Sequence, residues 1–306
     1  MDHKISQKII VAIIIPVFNG LEYTMLCLKT LSELILDTNF YTYDFKIVIV
    51  DDGSTDGTAN WIKKEFPSVH LKFGNGSLWW SGGINKGVSY ALNQMKAEYI
   101  LWWNNDIQPT ETYFEELVKI LDKQGSDVIV GSKIFILNSN LIWGMGGKFD
   151  PNSGLRHMYG EQQNDSEFYN RSLEVDWFPG MGTTIHKKVF DQIGLLDEKN
   201  FPQYHGDSDF TFRAKQAGFK LIAFPQLVLY NDNSNTGLKH NNKFSGLFKT
   251  LTNTKSNYNL MKDIAFYKKH RNSMKAYLPL INKYGRYIGG FYKWKVYNFF
   301  GIKKHV

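Results

Sequence analysis

The run DDGSTDG at residues 51–57 is the part of this chain whose residue types and spacing most clearly indicate chemistry. It directly follows the apolar segment 45–50, which is typical of a buried strand. Because ligands of open α/β sheets bind outside the carboxyl ends of the strands, Asp51 and Asp52 are predicted to lie beside a ligand. Carboxylates cannot cradle a phosphate, but they can accept hydrogen bonds from a base or a ribose, or help to hold a cation. The same residue types also build turns and helix caps, and both residues could do that while binding a ligand.

Three further polar clusters follow predicted strands, and they read PVFN at 16–19, GNG at 74–76 and NND at 104–106. Strands that alternate with helices indicate a parallel sheet with right-handed crossovers, so these clusters should meet at one edge. The expected strands are 9–16, 45–50, 69–73 and 99–103, and the expected helices are 21–36, 58–66, 84–95 and one that Pro109 and Thr110 open and that runs to 121.

The regular pattern loosens after residue 128. Residues 138–175 are rich in Gly, Asn and Ser, which is typical of hairpins and loops. Helices are expected again at 187–193 and 208–217, and short strands at 221–224 and 227–230.

Composition excludes several classes of protein. With 43% hydrophobic and 15% aromatic residues, the chain can bury a sizeable core and is not expected to be disordered. The single cysteine, Cys27, cannot form an internal disulfide, is expected to be buried, and fits a reducing compartment. The longest apolar run, 9–17, is too short to span a bilayer and is typical of a strand rather than a signal peptide. We therefore expect a cytoplasmic protein without a transmembrane anchor.

The charge is distributed unevenly. Residues 238–306 contain 15 Lys or Arg and one acid, Asp263, whereas the whole chain carries a net charge of +7. The tail is also rich in Tyr, Phe and Trp. An acidic body followed by a basic, aromatic tail predicts a boundary at 237/238 and a separate role for the tail.

The ordered motifs resemble those of family 2 glycosyltransferases with the GT-A fold. The resemblance covers roughly the first 235 residues and implies a Rossmann-like, mostly parallel central sheet flanked by helices, followed here by a helical C-terminal extension. It implies transfer of a sugar from a UDP or dTDP donor to an acceptor hydroxyl with inversion. The WWSGG variant is similar to bacterial enzymes of capsule, O-antigen and other surface-glycan clusters, some of which are rhamnosyltransferases. The matching motifs are PVFN at 16–19, VDDGSTDGT at 50–58, GNGSLWWSGGINKG at 74–87, LWWNNDI at 101–107, PGMGTTIHKKVFDQIGLLDE at 179–198 and GDSDFTFRAKQAG at 206–218.

The resemblance implies roles at the donor end. Asp51 matches the carboxylate that reads the base, and Asp52 would serve the ribose or the turn. Asp106 is the charged member of the Asp-x-Asp motif and would bind a divalent cation, Mn²⁺ or Mg²⁺, that clamps the diphosphate; otherwise it caps the following helix. Asn231 stands where many members have a metal-binding His, with Asp232 beside it. Donor contacts are implied for Pro16, Val17, Phe18, Asn19, Asp51, Asp52, Asn75, Trp80, Gly83, Asn85, Asn104 and Asn105.

At the acceptor end the resemblance makes Asp207 the general base, because it aligns with the family's Glu-Asp-x-Asp motif. The glutamate of that motif is replaced by Gly206. The alternative for Asp207 is the N-cap of the helix that follows. The acceptor and sugar pocket is expected to include Trp79, Trp177, Gly180, Met181, Gly182, His205 and Asp209.

The basic, aromatic tail favours association with the inner leaflet of a membrane, where a lipid-linked glycan acceptor would lie. Helix packing and a homodimer interface are the alternatives. Nucleic acid is not expected as a partner, because no recognition motif accompanies the charge.

Two other functions are consistent with parts of the sequence. A sugar nucleotidyltransferase also uses a nucleotide-binding sheet, but PVFNGLEYT at 16–24 lacks the usual Gly-rich basic loop. A catalytically degenerate glycan-binding or scaffold protein is suggested by Gly206 and by the single acid at 104–106.

Overall fold

The computed structural model of the chain describes residues 8–36, 40, 42–232 and 243–299. Two compact units are present, a larger unit of residues 1–148 and 158–235 and a C-terminal unit of residues 149–157 and 236–306. The predicted boundary at 237/238 and the last residues, 300–306, lie outside the described residues.

The strands lie almost entirely in the larger unit. They are β1 (Ile9–Val17), β2 (Tyr43–Asp51), β3 (His70–Phe73), β4 (Tyr99–Trp102), β5 (Ile107–Pro109), β6 (Val128–Ile136), β7 (Leu141–Gly144), β8 (Gly147–Phe149), β9 (Arg156–Met158), β10 (Gln163–Asn164), β11 (Leu173–Glu174), β12 (Thr183–His186) and β13 (Lys220–Asn231).

Helices separate most of these strands and form the C-terminal unit. They are α1 (Leu21–Leu36), α2 (Thr58–Glu65), α3 (Trp79–Tyr90), α4 (Tyr113–Gln124), α5 (Lys187–Ile193), α6 (Gly206–Gln216), α7 (Phe244–Thr252), α8 (Leu260–His270) and α9 (Leu278–Phe299), together with a π-helical turn (Ala91–Met95) and 3-10 turns (Glu167–Asn170 and Met274–Tyr277).

A single large sheet organises the larger unit, in the order β10-β7-β6-β12-β4-β1-β2-β3. β1 pairs in parallel with β2 and β4, β2 pairs in parallel with β3, and β13 pairs in parallel with β6. β12 runs antiparallel between β4 and β6, and β5 runs antiparallel to β13. The predicted α/β class with a mostly parallel central sheet is confirmed. As expected, the carboxyl ends of β1, β2, β3 and β4 share one edge.

The sheet has an apolar layer on each face because its central strands are buried on both sides. Along β1, Ile13 and Ile15 belong to one core cluster, and Ala12 and Ile14 belong to the other. On the second face α3 approaches β1 closely: a Cβ atom on Gly87 would lie 2.3 Å from Ile14 Cγ2. Packing of α3 against β1 therefore requires a glycine at position 87.

The structure corrects three expected boundaries. α3 begins at Trp79, not at 84, so the WWSGG segment is helical rather than a loop. α4 begins at Tyr113 because Ile107–Pro109 form β5 along β13. The two short strands expected at 221–224 and 227–230 are one strand, β13, whose register shifts between Phe224 and Val228.

Within residues 243–299 the C-terminal unit is mainly helical, and residues 149–157 add parts of β8 and β9 to it. The one acid of residues 243–299, Asp263, is buried on α8 and accepts hydrogen bonds from Lys283 Nζ at 2.6 Å and from Tyr284 Oη at 2.9 Å. Nearby aromatic rings stack, with Tyr258 and Tyr287 centroids 4.5 Å apart. Within the described ranges no helix combines the length and apolarity needed to cross a bilayer.

Candidate functional site

Asp51 is the last residue of β2 and pairs with Val17 of β1 and Phe73 of β3. Its side chain is almost completely buried, and Oδ1 accepts a hydrogen bond from Ser54 N at 2.7 Å. The carboxylate therefore lies at the edge where the predicted site should be, and one of its oxygens shapes the following turn.

Asp52 connects this edge to the loop after β3. Its Oδ1 accepts a hydrogen bond from Gly76 N at 2.8 Å, and its Oδ2 accepts from Leu78 N at 2.8 Å and from Trp79 N at 3.1 Å. These contacts give Asp52 a structural role in the loop after β3, and its expected role towards the ribose stays a prediction.

The loops after β1 and β2 are joined by side chains in the same way. Asn19 has a positive φ of 49°, its N–H donates to Ser54 Oγ at 2.9 Å, and its Oδ1 accepts from Thr55 N at 2.7 Å. Asp56 Oδ2 accepts a hydrogen bond from Leu21 N at 2.9 Å. Three consecutive strand ends are thus tied by polar side chains.

The remaining residues of PVFN differ in exposure. Val17 is buried, and its carbonyl accepts a hydrogen bond from Asp52 N at 2.9 Å. Pro16 lies under Gly83, where a Cβ atom would approach its ring to 2.8 Å. Phe18 is half exposed and stands beside the edge with its ring accessible.

Trp80 contacts the Asn-Asn-Asp segment directly. Its Nε1–H donates to Asn104 Oδ1 at 2.9 Å, and its ring packs edge-on against Trp102. The other side of the indole lies against Gly180, where an added Cβ would come within 2.1 Å of the ring. Trp80 therefore bridges the segment after β4 and the 179–182 segment. Asn105 Nδ2 turns towards α1 and donates to Thr24 Oγ1 at 3.0 Å.

Two residues that are predicted to contact the donor, Asn85 and Asn75, make hydrogen bonds within the protein. Asn85 is buried, its Nδ2 donates to the Leu196 carbonyl and to Glu198 Oε2, and its Oδ1 accepts from Leu196 N. Both donor hydrogens of its amide are therefore occupied by the loop that follows α5. Asn75 is exposed, and its Oδ1 accepts from the N–H and hydroxyl of Ser77.

Asp106 has the most perturbed carboxyl group at this edge. Burial raises its pKa to about 6, and the negative charge of Asp232 contributes a smaller part of this shift. Its buried Oδ1 has no hydrogen-bond partner. A buried carboxylate oxygen without a partner, beside a second carboxylate, fits a divalent cation, because a cation would satisfy the oxygen and offset the like charges.

Asp232 was not among the expected ligands, although it directly follows the last strand. Its N–H donates to the Asp106 carbonyl at 3.0 Å, and its Oδ2 accepts from Tyr23 Oη at 3.2 Å. Asp232 and Asp106 line one small cavity of about 60 Å³ with Tyr23 and Cys27. Asn231, the last residue of β13, is buried and pairs with Ile107 of β5. The sequence signal that could have identified Asp232 is its place as an acidic residue directly after β13.

The pair is not a complete metal site. Among the residues that the structure describes, no three His, Cys, Asp or Glu side chains are grouped to hold a metal ion. Cys27 does not extend the pair, because burial raises the pKa of its thiol to about 12 and keeps it protonated. Any cation held by Asp106 and Asp232 would complete its coordination with oxygens of water or of a bound ligand.

Asp207 lies in the first turn of α6 and faces the 179–182 segment. Its Oδ2 accepts a hydrogen bond from Gly180 N at 2.9 Å, and its Oδ1 accepts from Ser208 N at 2.7 Å. The side chain is half-buried. It is linked through Gly180 and Trp80 to Asn104, so the predicted base and the Asn-Asn-Asp segment belong to one cluster of contacts.

The other residues predicted for the acceptor pocket differ in burial and in backbone conformation. Asp209 is fully buried and pairs with Arg213 Nε at 3.0 Å. Gly182 has a positive φ of 66°, and its carbonyl accepts from Ser132 Oγ at 2.8 Å. His205 precedes α6 with a positive φ of 69°. Trp177 and Met181 are buried, and Trp79 adopts a positive φ of 57° at the start of α3.

The sequence profile of the family described as "Glycosyl transferase family 2" matches residues 12–190, which include every strand end described above except that of β13. The chain belongs to glycosyltransferase family 2. It is therefore a glycosyltransferase, and its mixed α/β fold is the GT-A fold of its structural neighbours.

Curated relatives of this glycosyltransferase are similar at about a quarter identity. An uncharacterised glycosyltransferase of Rickettsia typhi is 26% identical over 313 residues, which cover 92% of this chain and 87% of the relative. A hexosyltransferase of low-salt glycan biosynthesis from Haloferax volcanii is 26% identical over 58% of this chain and 55% of its own length.

Solved structures share the fold. GalNAc-T7 with UDP, GalNAc and Mn²⁺ has a TM-score of 0.55 and 14% identity, over 74% of this chain and 44% of that chain. A mannosyltransferase from Pyrobaculum calidifontis with GDP-Man and Mn²⁺ has a TM-score of 0.53 and 13% identity, over 92% of this chain and 70% of that chain. Staphylococcus aureus TarS in complex with UDP has a TM-score of 0.51 and 17% identity, and this glycosyltransferase covers 60% of that chain.

Proposed function

We propose that this glycosyltransferase moves a sugar from a nucleotide diphosphate donor to an acceptor hydroxyl with inversion at the anomeric carbon. The observation that carries the proposal is the continuous set of contacts from Asp207 through Gly180 and Trp80 to Asn104. It links a carboxylate suited to proton removal with the segment that bears Asp106, so base and leaving-group stabilisation can act on one bound donor.

The donor would bind at the edge formed by β1, β2 and β3. Asp51 would accept a hydrogen bond from the base, which favours a uracil or thymine N3–H, and Phe18 would lie beside the ring. The UDP present in the TarS and GalNAc-T7 structures supports a pyrimidine, whereas the mannosyltransferase contains GDP-Man. The Asp52 and Asn19 contacts would hold this corner in one shape.

A divalent cation, Mn²⁺ or Mg²⁺, would be held by Asp106 and Asp232 together with the donor's phosphate oxygens. Mn²⁺ in two of the neighbours supports the proposal. When bound, the cation would supply Lewis-acid stabilisation of the departing diphosphate. Asp232 takes the place that the sequence interpretation gave to Asn231, since Asp232 is the group whose charge acts on Asp106.

Asp207 would remove the proton of the acceptor hydroxyl as that oxygen bonds to the anomeric carbon. The bond between this carbon and the diphosphate oxygen would break on the opposite face, and the electron pair would leave with the nucleotide. Gly180 N–H holds the carboxylate in a fixed orientation during this step.

Gly206 does not favour the degenerate-scaffold alternative. A Cβ atom at this position would lie 2.1 Å from Ser81 Oγ, a hydroxyl that donates to the Phe201 carbonyl at 2.6 Å. The glutamate of the family motif has no room at Gly206, so its absence reflects the local packing of α3 against the loop before α6.

The acceptor is proposed to be a surface glycan such as capsule or O-antigen, reached from the cytoplasmic side of the membrane. The low-salt glycan biosynthesis hexosyltransferase and the poly(ribitol-phosphate) beta-N-acetylglucosaminyltransferase TarS, both relatives, support a glycan or another polymer as the acceptor.

A thermal-shift screen of UDP-, dTDP- and GDP-sugars with and without Mn²⁺ tests the proposal. We expect stabilisation by one class of donor that is larger with the cation, followed by slow donor hydrolysis that Asp106→Ala abolishes. Equal melting temperatures with every donor and no hydrolysis would support the scaffold alternative instead.

A further inference from the structure

One side of α9 in the C-terminal unit is apolar and exposed. Leu278, Ile281, Tyr292 and Val296 are each between 50% and 65% exposed. At 3.6 residues per turn they fall within roughly a quarter of the helix circumference, and the gaps in the row are filled by Gly285, Gly289 and the half-buried Ile288. The row runs along most of the 22 residues of the helix.

A different side of the same helix packs inside the unit. Leu280 and Tyr284 are buried, and Phe291 packs against Phe244 with ring centroids 5.3 Å apart. The exposed row is therefore not the packing face of α9. It is an additional apolar surface, which we call the α9 face.

Basic side chains flank the α9 face. Arg286 and Lys293 project on one flank and Lys295 on the other, as their positions on the helical wheel require. The helix contains no Asp or Glu. The one acid of residues 243–299, Asp263, is buried and bonded to Lys283 and Tyr284, so it contributes little negative charge to the surface.

We propose that the α9 face lies on the surface of an anionic phospholipid bilayer, with its apolar row at the acyl boundary and its basic flanks on the headgroups. An apolar stripe bordered by Lys and Arg is the arrangement that anionic interfaces select, because burial of the stripe and attraction of the charges act together. A second copy of this chain would bring Arg286, Lys293 and Lys295 against the same positive charges, so charge complementarity favours the lipid. The proposal is independent of the sugar-transfer chemistry of the larger unit.

Co-sedimentation of the full chain with vesicles tests this proposal. Binding is expected to vesicles of phosphatidylcholine with phosphatidylglycerol, to be weaker with phosphatidylcholine alone, and to fall as NaCl is raised. The double variant Arg286→Glu/Lys293→Glu should lose more than about tenfold in partitioning, since each basic residue near an anionic surface contributes about fivefold. Ile281→Ser/Val296→Ser should weaken binding by a similar factor, because it removes apolar area from the stripe.

The matched control is Lys123→Glu/Lys220→Glu, which makes the same change in net charge at exposed positions of the larger unit. It should bind phosphatidylglycerol vesicles within about twofold of the parent chain, because these residues are not on the α9 face. Equal loss in the control and in the Arg286/Lys293 variant would overturn the proposal.

Two further outcomes also overturn it. In the first, the chain does not bind the vesicles and sediments as a dimer, and the Ile281→Ser/Val296→Ser variant sediments as a monomer. In the second, the chain binds a mixed-sequence oligonucleotide and does not bind the vesicles. Donor-induced thermal shifts, measured on the same samples, report on the larger unit and separate a failure of this proposal from a failure of the sugar-transfer proposal.

Discussion

The Asp207 carboxylate is fixed by the backbone of Gly180, whose N–H donates to Oδ2 at 2.9 Å. A side chain that only capped α6 would need no partner outside the helix, whereas Asp207 makes one contact within α6 and one with the segment after β11. This relationship holds the carboxylate in place while leaving it half-buried rather than enclosed.

We expect Asp207→Asn to lose about 10²–10⁴-fold in kcat, because an amide cannot take the proton of the acceptor hydroxyl. Donor affinity should stay within about twofold, since the amide oxygen can still accept from Gly180. Single-turnover transfer measures the expected loss of kcat, and equilibrium donor binding measures the expected retention of affinity. Full transfer by Asp207→Asn would remove this residue from the mechanism.

Asp209→Asn is the matched control for that variant, two residues along the same helix. It breaks a buried ion pair with Arg213, whose other nitrogens donate to the Ile193 and Leu195 carbonyls. We therefore expect a lower melting temperature but a kcat within a few-fold of the parent enzyme after correction for the folded fraction.

Asp106 should make stability fall as pH rises. Its pKa in the folded protein is raised to about 6 from the ordinary 3.8, so the folded state holds a proton that the unfolded state has lost between these values. The free energy of unfolding should decrease by at most about 3 kcal/mol between about pH 4 and pH 6, and it should then level off.

Asp106→Asn should remove this dependence and be more stable than the parent chain above pH 6 when no cation is added. Mn²⁺ should restore the parent chain and leave the variant unchanged. Denaturant titrations from pH 4 to pH 8, with EDTA or with Mn²⁺, measure both effects. A parent chain whose stability is flat over this range would contradict the assigned pKa.

Trp80→Phe should weaken donor turnover without unfolding the protein. The substitution removes the Nε1–H that orients the Asn104 amide, and it also shortens the ring at the edge that lies against Gly180. A lost hydrogen bond of this kind contributes about 1 kcal/mol, so kcat/KM should fall roughly fivefold. Trp61→Phe, in α2 against Phe66, removes an indole N–H elsewhere and should leave kcat/KM unchanged.

Asp52→Ala should destabilise the chain by about 2–4 kcal/mol, because three backbone N–H groups lose a charged acceptor at once. Asp44→Ala is the control, since Asp44 forms a partly exposed surface ion pair with Lys46 and should change stability by less than about 1 kcal/mol. Urea titration compares them. Equal midpoints for the two variants would show that Asp52 does not hold the loop.

The strand ends were predictable because periodicity and composition are local properties. Asp51 and Asp106 lie at the edge where the pattern of strands and helices predicted them. Asn85 was not predictable in its present role, because its partners Leu196 and Glu198 are more than 100 residues away in sequence. Tertiary contacts of this kind leave no local signal.

The WWSGG segment was difficult to predict for a different reason, because its local signal was misleading. Glycine has low helix propensity, so the sequence predicts a loop there. The glycines instead allow α3 to approach β1, with Gly83 over Pro16 and Gly87 over Ile14. The packing of the helix against the sheet outweighs the local propensity, and this preference can be recognised only once the neighbouring strand is known.

The side chains of Asn19, Asp52 and Asp56 join three separate loops at the edge of the sheet. A loop that is already ordered has less conformational entropy to lose when a ligand binds. Most of the free energy gained from contacts with a nucleotide would therefore appear as affinity. Removing any one of these three side-chain hydrogen bonds should weaken ligand binding even where the contacts with the ligand are unchanged. The reason is that the loop would then lose conformational entropy when the ligand binds.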